Sequence, residues 1–277
     1  MSQSPLYLDE SGRPKLRESI TAFIDVLGFS QTVLATAEAG QSQQCLDRIL
    51  IALEDSRAAV RSSLPVQELA NSSPWAVKFF SDNLLLGTPC DEHGGTVAAL
   101  VFVLRCAQLY QLQMVLGGFF VRGALTTGPL CVTDDIIFGT SLIDAYRLES
   151  KAAVVPRILL SEEASTAVVS QFGARDNQLS QAAGELLCRD VDGGWFVNYL
   201  QAAVEQKGVN WQKIERHKES VLASLAHCTR HDVLPKLGWV SRYHNVFCQW
   251  HRNDPGYSDQ LRIKRVDEDS VIERLQT

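Results

Sequence analysis

Ala22-Phe-Ile-Asp-Val-Leu-Gly-Phe29 is an apolar run broken by a single carboxylate, Asp25, and closed by a glycine, Gly28. It reads as a buried strand that ends in a turn. An ionised carboxylate in such a strand is costly unless a basic partner, a set of backbone donors or a metal ion compensates it. A second stretch has the same build. Trp75-Ala-Val-Lys-Phe-Phe-Ser-Asp-Asn-Leu-Leu-Leu86 sets Asp82 among apolar residues. One strand-end aspartate alone reads more readily as a turn former or a paired core residue. Two in matching settings read differently, because adjacent carboxylates repel each other and a cation between them relieves the repulsion. Zinc would call for soft ligands, and none lie nearby, so Mg²⁺ or Mn²⁺ is the expected ion. Such pairs commonly clamp phosphates during phosphoryl or nucleotidyl transfer.

The rest of the composition sets bounds. The chain has 277 residues, 45% hydrophobic and 21% charged, an ordinary globular balance in the size range of one large domain or two small ones. Its net charge of -6 supplies no basic field for a nucleic-acid backbone. A local basic pocket for one triphosphate stays open. The seven cysteines are odd in number and form no CxxC pair, which argues against structural zinc. With no signal-peptide pattern at the start, reduced thiols in a cytoplasmic protein are expected. Thr96 to Phe120 is the most apolar long segment. Arg105, Gln108, Gln111 and Gln113 interrupt it, so it suits a core helix and not a membrane span.

Read in order, residues 1 to about 18 are polar and expected to be poorly ordered. A strand at 21-27 follows, then one or two helices over 30-62, where Cys45, Leu46, Ile49, Leu50 and Leu53 fall at helical spacing. Asn71-Ser-Ser-Pro74 reads as a loop. A strand runs into Asp82 and Leu84-Leu-Leu86 returns from it. A long helix is expected at about 96-115, ended by Gly117-Gly118. Phe119 to Val132 suggests strand, turn and strand, with the turn at Thr126-Thr-Gly-Pro129. A helix over 140-152, a short strand at Pro156-Arg-Ile-Leu-Leu160 and a helix from Ser161-Glu-Glu-Ala follow. A hairpin is expected around Asp192-Gly-Gly194, and two helices, about 209-228 and 231-252, close the chain. The order of elements is that of a ferredoxin-like α+β core.

Other charged positions are less decisive. Asp144, Arg147 and Lys151 lie within two turns of the expected helix, and Arg147 and Lys151 share a face. They form either a solvated face or, through Arg147, a stabiliser of phosphate oxygens. Arg122 puts a charge into a strand and reads first as an exposed or paired position. The histidines of the C-terminal part (His217, His227, His231, His244 and His251) show no metal spacing and are assigned to a polar helix face.

Four segments together carry a resemblance. Phe23-Ile-Asp25…Gly28-Phe29, Lys78-Phe-Phe-Ser-Asp82, Arg122-Gly-Ala-Leu-Thr-Thr-Gly128 and Phe138-Gly139…Ala145-Tyr-Arg-Leu-Glu149 are similar to the motifs of the class III nucleotidyl cyclases. The resemblance implies an α+β fold: a ferredoxin-like class III nucleotidyl cyclase core over 19-205. It would follow an N-terminal segment, 1-18, and carry a C-terminal helical extension, 206-277, packed on the same domain. It implies two Mg²⁺ or Mn²⁺ ions per site, held by Asp25, Asp82 and the Ile24 carbonyl. It makes Arg147 the stabiliser of the transition state, and puts Phe23, Ala76, Lys78, Arg122 and Ile136 around the substrate. It further implies a head-to-tail homodimer whose sites form across the interface, with the aspartates from one chain and Arg147 from the other.

The departures concern the base. Adenylyl cyclases read adenine with a lysine and an aspartate at positions that here hold Ala76 and Ile136, and the corresponding guanine-reading pair is absent too. The ribose-positioning asparagine falls at Ile143, and the family's Gly before the second aspartate is Ser81. This profile resembles the bacterial pyrimidine cyclases of the Pycsar anti-phage systems, which are cytoplasmic. That similarity takes in Pro156-Arg-Ile, Asp192 to Tyr199 and Lys236-Leu-Gly-Trp…Tyr243-His-Asn245, and would cover about 20-250. It implies a nucleoside triphosphate substrate, UTP favoured over CTP, and a cyclic product sensed by a separate effector. The alternatives are a cytidylate cyclase, a purine cyclase with relocated base contacts, and a cyclase fold that only binds a nucleotide or a partner.

Overall fold

The computed structural model of the protein describes residues 5–62, 75–80, 82–172, 185–228, 230–264 and 273–274. The strand that contains Asp25 is β1 (Arg17–Val26). It is followed by α1 (Phe29–Glu38), α2 (Ser42–Ser62), β2 (Ala76–Phe80), β3 (Asn83–Pro89), α3 (Thr96–Leu116) and β4 (Val121–Val132). These elements are the βαββαβ core. β1 pairs antiparallel with β3 on one side and with β4 on the other, and β2 pairs with β3. The resulting order, β4-β1-β3-β2, is the ferredoxin-like order expected from the sequence.

The sheet then extends beyond β4. β5 (Ile137–Phe138) pairs with the end of β4, and α4 (Thr140–Ala152) follows. β6 (Ile158–Leu160) runs parallel to β4. After α5 (Glu162–Phe172), β7 (Leu187–Arg189) and β8 (Trp195–Val197) form the expected hairpin, and β8 pairs with β6. A short hairpin of β9 (Val204–Glu205) and β10 (Gly208–Val209) leads into α6 (Trp211–His227) and α7 (Leu234–Trp250). β11 (Glu273–Arg274) pairs with β7 at the far edge.

Because β1 is central, both of its faces are covered, and its side chains sort by parity. Ile20, Ala22, Ile24 and Val26 point into the main core with α2 and α3. Fully burying an Ile or Val contributes about 1.5–3 kcal/mol, so this face alone fixes the register. Thr21 and Phe23 occupy the opposite face, and Asp25 continues that series. This second face is smaller. It is covered by α4 and by a cluster of Leu6, Tyr7, Ala76, Leu85, Leu130, Cys131 and Val132. α4 is tied down by Ser141, whose Oγ is 2.8 Å from Thr21 Oγ1 and whose carbonyl accepts from Thr126 Oγ1 at 2.9 Å. Gly139, just before α4, makes this approach possible: a Cβ there would lie 2.2 Å from the Pro129 carbonyl oxygen.

Several expectations are corrected. The N-terminal segment is anchored at one point: Leu6 and Tyr7 are buried, and the Tyr7 hydroxyl donates to Ser19 Oγ at 3.1 Å, while residues 10–16 are exposed. The turn placed at Thr126-Thr-Gly-Pro129 is continuous strand. Thr126 is buried against α4, and Gly128 and Pro129 pair in register with Ser19 and Glu18. The real turn lies at 133–136, where Thr133 Oγ1 accepts from the Asp135 and Ile136 amides. The helical stretch at 30–62 is two helices, and the loop expected at Asn71–Pro74 lies outside the described residues. The Ser161 cap is as read, with Oγ accepting from the Ala164 amide at 3.2 Å.

α3 is the one helix among the described residues long and apolar enough to cross a membrane, and most of it is buried inside the fold. None of the seven cysteines is in a disulfide. α6 and α7 share the main core with the sheet. The Tyr243 hydroxyl donates to Asn198 Oδ1 at 2.5 Å and accepts from the Leu200 amide at 3.1 Å. Trp239 Nε1 donates to Asp190 Oδ2 at 2.8 Å, and that carboxylate also pairs with the buried Arg157.

Candidate active site

Asp25 is the penultimate residue of β1, opposite Asn83 of β3 and Arg122 of β4. Asp82 immediately precedes β3, and its backbone carbonyl accepts from the Val26 amide at 3.3 Å. The two aspartates, far apart in sequence, are therefore neighbours at one end of the central strands. The Asp25 side chain is 17% exposed. Burial, the charge of Asp82 and a hydrogen bond with Asp82 raise its pKa to about 6, against the lowering effect of Arg122. Asn83 Nδ2 donates to Asp82 Oδ1 at 3.3 Å.

Arg122 lies between two acids. Its Nε and Nη2 donate to Asp25 Oδ2 at 3.3 and 3.4 Å, and Nε is also 2.8 Å from Glu149 Oε1. The paired-position reading of Arg122 is thus what the structure shows. Glu149, only 3% exposed, had no role assigned from the sequence. Its signal was present: Ser141, Ala145 and Glu149 recur every four residues on the buried face of α4. A glutamate third in a buried stripe of small residues needs a cationic partner. Burial pushes its carboxyl up, Arg122 pulls it down, and Asp25 adds to the rise.

The other expected residues are dispersed. Phe23 faces α4, its ring edge-on to Tyr146 with centroids 5.7 Å apart. Ile24 faces the core, so only its backbone is near Asp25. Ala76 is buried in the smaller core, and Lys78 is held by Asp134 of the β4–β5 turn at 2.9 Å. Ile136, in that same turn, is 48% exposed. Arg147 is remote from this group in its contacts: its side chain is 65% exposed and pairs with Asp144 at 3.8 Å. Ile143 and Tyr146 of the same helix and Phe138 of β5 are also exposed.

Among the described residues no three His, Cys, Asp or Glu side chains cluster as ready-made metal ligands. Two neighbouring carboxylates still fit a magnesium-like ion, which is usually held by one or two carboxylates with waters and substrate phosphates completing its shell. The donor set is all oxygen, as such an ion prefers. Burial is the main cause of the raised Asp25 carboxyl, and the charge of Asp82, second to it, is a repulsion that a cation would relieve.

Of the five C-terminal histidines, His227 and His231 are exposed as expected, but His217, His244 and His251 are buried. His217 and His244 are fully buried and stacked, with ring planes 7° apart. His244 Nε2 donates to the Leu261 carbonyl at 2.9 Å, which leaves its Nδ1 as an acceptor. His217 Nδ1 must then donate to it at 3.0 Å, and His217 Nε2 accepts from the Tyr199 hydroxyl at 2.8 Å. Both rings are neutral and every ring nitrogen is satisfied, so this group is structural.

No protein-family model matches the sequence, and no curated protein matches it. Solved structures similar to it include the adenylyl cyclase CyaB from P. aeruginosa, at 16% identity and a TM-score of 0.42, covering 66% of this chain and 94% of that one. A class III adenylyl cyclase-like ATP-binding protein from Pseudomonas aeruginosa is 17% identical with a TM-score of 0.41, covering 61% of this chain and 41% of that one. A bacterial light-regulated adenylyl cyclase is 12% identical with a TM-score of 0.40, covering 75% and 100%.

Proposed function

We propose that this chain is a class III nucleotidyl cyclase that converts a pyrimidine nucleoside triphosphate, UTP in preference to CTP, to its 3′,5′-cyclic monophosphate and pyrophosphate. The observation that carries this reading is the Asp25–Asp82 pair, two carboxylates brought together at the end of the central strand. Asp25, Asp82 and the Ile24 carbonyl would hold two Mg²⁺ or Mn²⁺ ions, which when bound favour the deprotonated 3′-oxygen and neutralise the triphosphate. The 3′-oxygen attacks the α-phosphorus after its proton passes to solvent. The new O3′–P bond replaces the bond to the oxygen bridging to the β-phosphate, and pyrophosphate leaves.

Arg122 is placed to meet the phosphates without losing its role between Asp25 and Glu149, since a guanidinium has five donors. Arg147, exposed and held only loosely by Asp144, would be supplied to the site of a second copy, where it neutralises charge on the α-phosphate and leaving oxygen. The exposed Phe138, Ile143 and Tyr146 would be covered in the same homodimer. Ala76 and Ile136 offer a purine edge no hydrogen bond, which favours a pyrimidine. Likeness to the Pycsar enzymes adds a role in antiviral defence, with a separate effector sensing the product in the cytoplasm.

A second reading is a nucleotide-binding module without catalysis. It is favoured by Ile143, an exposed apolar side chain where the family places its ribose asparagine. Turnover of each of the four nucleoside triphosphates by the purified chain with Mn²⁺ separates the two.

A further inference from the structure

A cavity of about 570 Å³ opens beside Asp25, between the β1–α1 turn, α2 and the connection from α6 to α7. Its volume is in the range of about 300–1,000 Å³ typical of ligand sites. Arg122 joins it to the aspartate pair, because the same guanidinium that touches Asp25 lines this cavity. Among the described residues four fixed cations line it: Arg48, Arg122, Arg230 and Lys236. Among the described lining residues one carboxylate, Asp232, faces them, and Arg230 already engages it at 2.6 Å. Asp232 also feels the charge of Lys236, but neither Lys236 nor Arg48 forms a salt bridge with a carboxylate among the described residues. Arg48 lies over the Phe119 ring, 5.6 Å from its centroid, which holds its guanidinium at the cavity wall.

The setting is anion-selective on simple grounds. A concave site lined by one sign of charge concentrates counter-ions, and guanidinium groups bind phosphate oxygens bidentately. The chain as a whole is acidic, with a net charge of -6, so the cluster is local and not part of a general basic surface. Gly28, at φ +71, turns the chain from β1 into α1 at the mouth of this cavity. No acidic residue stands in the first turn of α1 to repel an anion there.

We infer that this cavity binds the β- and γ-phosphates of the nucleoside triphosphate, and that Arg48 of α2 and Lys236 of α7 are phosphate-binding residues. The ligand's identity rests on the cyclase reading above. The C-terminal helices would then complete the substrate site as well as packing the core. Lys236 reaches the cavity only because α7 is anchored through Trp239 and Tyr243 to the sheet side of the fold.

The test is calorimetric binding of inorganic tripolyphosphate, with Mg²⁺, to the full chain. The wild type should bind, and the Arg48→Gln/Lys236→Gln double variant should bind at least tenfold more weakly with an unchanged melting temperature. Lys207→Gln removes one exposed cation elsewhere and should bind as the wild type does. Equal binding by the double variant, or an equal loss in Lys207→Gln, overturns the assignment. So does a wild type that fails to bind. The readout contains no nucleoside and needs no turnover. Selective loss in the double variant without any cyclic product would keep the cavity assignment and remove the cyclase reading.

Discussion

Asp25 and Arg122 stand directly opposite one another in the β1–β4 register, with Asp25 Oδ2 accepting from Arg122 Nε at 3.3 Å. The same nitrogen is 2.8 Å from the buried Glu149. One guanidinium therefore balances two carboxylates at the end of the central strand. Arg122→Met would leave both uncompensated and should cost about 3 kcal/mol, the scale for breaking a buried pair from one side. Adding Glu149→Gln removes one of the stranded charges, so the double variant should be less destabilised than the sum of the singles. Urea unfolding of the four proteins in the cycle measures this, and additive losses would refute it.

The stacked His217 and His244 predict a pH dependence. Burial depresses both pKa values, that of His244 to about 4. An unfolded chain begins to protonate these rings near pH 6.5, while the folded chain resists until much lower pH. The unfolded state therefore binds the extra protons in that window. Stability present above pH 6.5 should be lost as pH falls toward 4, with a slope of up to about 2.7 kcal/mol per unit. Chemical unfolding at half-unit steps from pH 7.5 to 4.5 reads the slope. A His217→Gln/His244→Leu variant, though less stable at neutral pH, should show a flatter dependence. An identical slope in that variant would locate the titration elsewhere.

Trp239 Nε1 donates to Asp190, whose carboxylate shares the buried Arg157 with Asp192. Trp239→Phe keeps most of the ring and removes the donor. It should cost about 1–3 kcal/mol, the penalty for leaving a buried acceptor short of a partner. Because α7 shares its core with the sheet, unfolding followed by fluorescence and by circular dichroism should give one coincident transition. Two separate transitions would show that the C-terminal helices fold apart from the sheet.

Much of this architecture could be read from the sequence, for identifiable reasons. The βαββαβ order was legible because β1 is buried on both faces and α3 is apolar nearly all round. Asp25 and Asp82 were legible because charge is rare in such strands. The turn at Thr126–Pro129 was misplaced because Gly and Pro punctuate a chain by default, whereas here tertiary contact with α4 keeps the segment extended. Tyr7 was missed because a polar segment gave no periodicity, although one aromatic anchors it. His217 and His244 looked like a polar face because their burial depends on each other and on Leu261, a partner distant in sequence. The cations of the cavity come from α2, β4, α7 and the α6–α7 connection, so no local pattern could have gathered them.

Shared active sites make a separate prediction. Asp25→Ala and Arg147→Ala proteins should each be inactive alone, and mixing them should restore up to about one quarter of wild-type activity, since half the dimers are mixed and each holds one intact site of two. Size-exclusion chromatography of differently tagged chains confirms that mixed dimers form. No recovery in their presence would mean that Arg147 does not act on a partner's site.

The most direct test of the account is product formation by the purified chain. It is incubated with Mn²⁺ and each of UTP, CTP, ATP and GTP, and the products are separated by chromatography and identified by mass. The account predicts a 3′,5′-cyclic monophosphate from UTP, with less from CTP, in equal amounts with pyrophosphate, and none from Asp25→Asn. Cyclic product only from ATP or GTP would contradict the pyrimidine assignment, and no cyclic product from any of the four would contradict the cyclase reading itself.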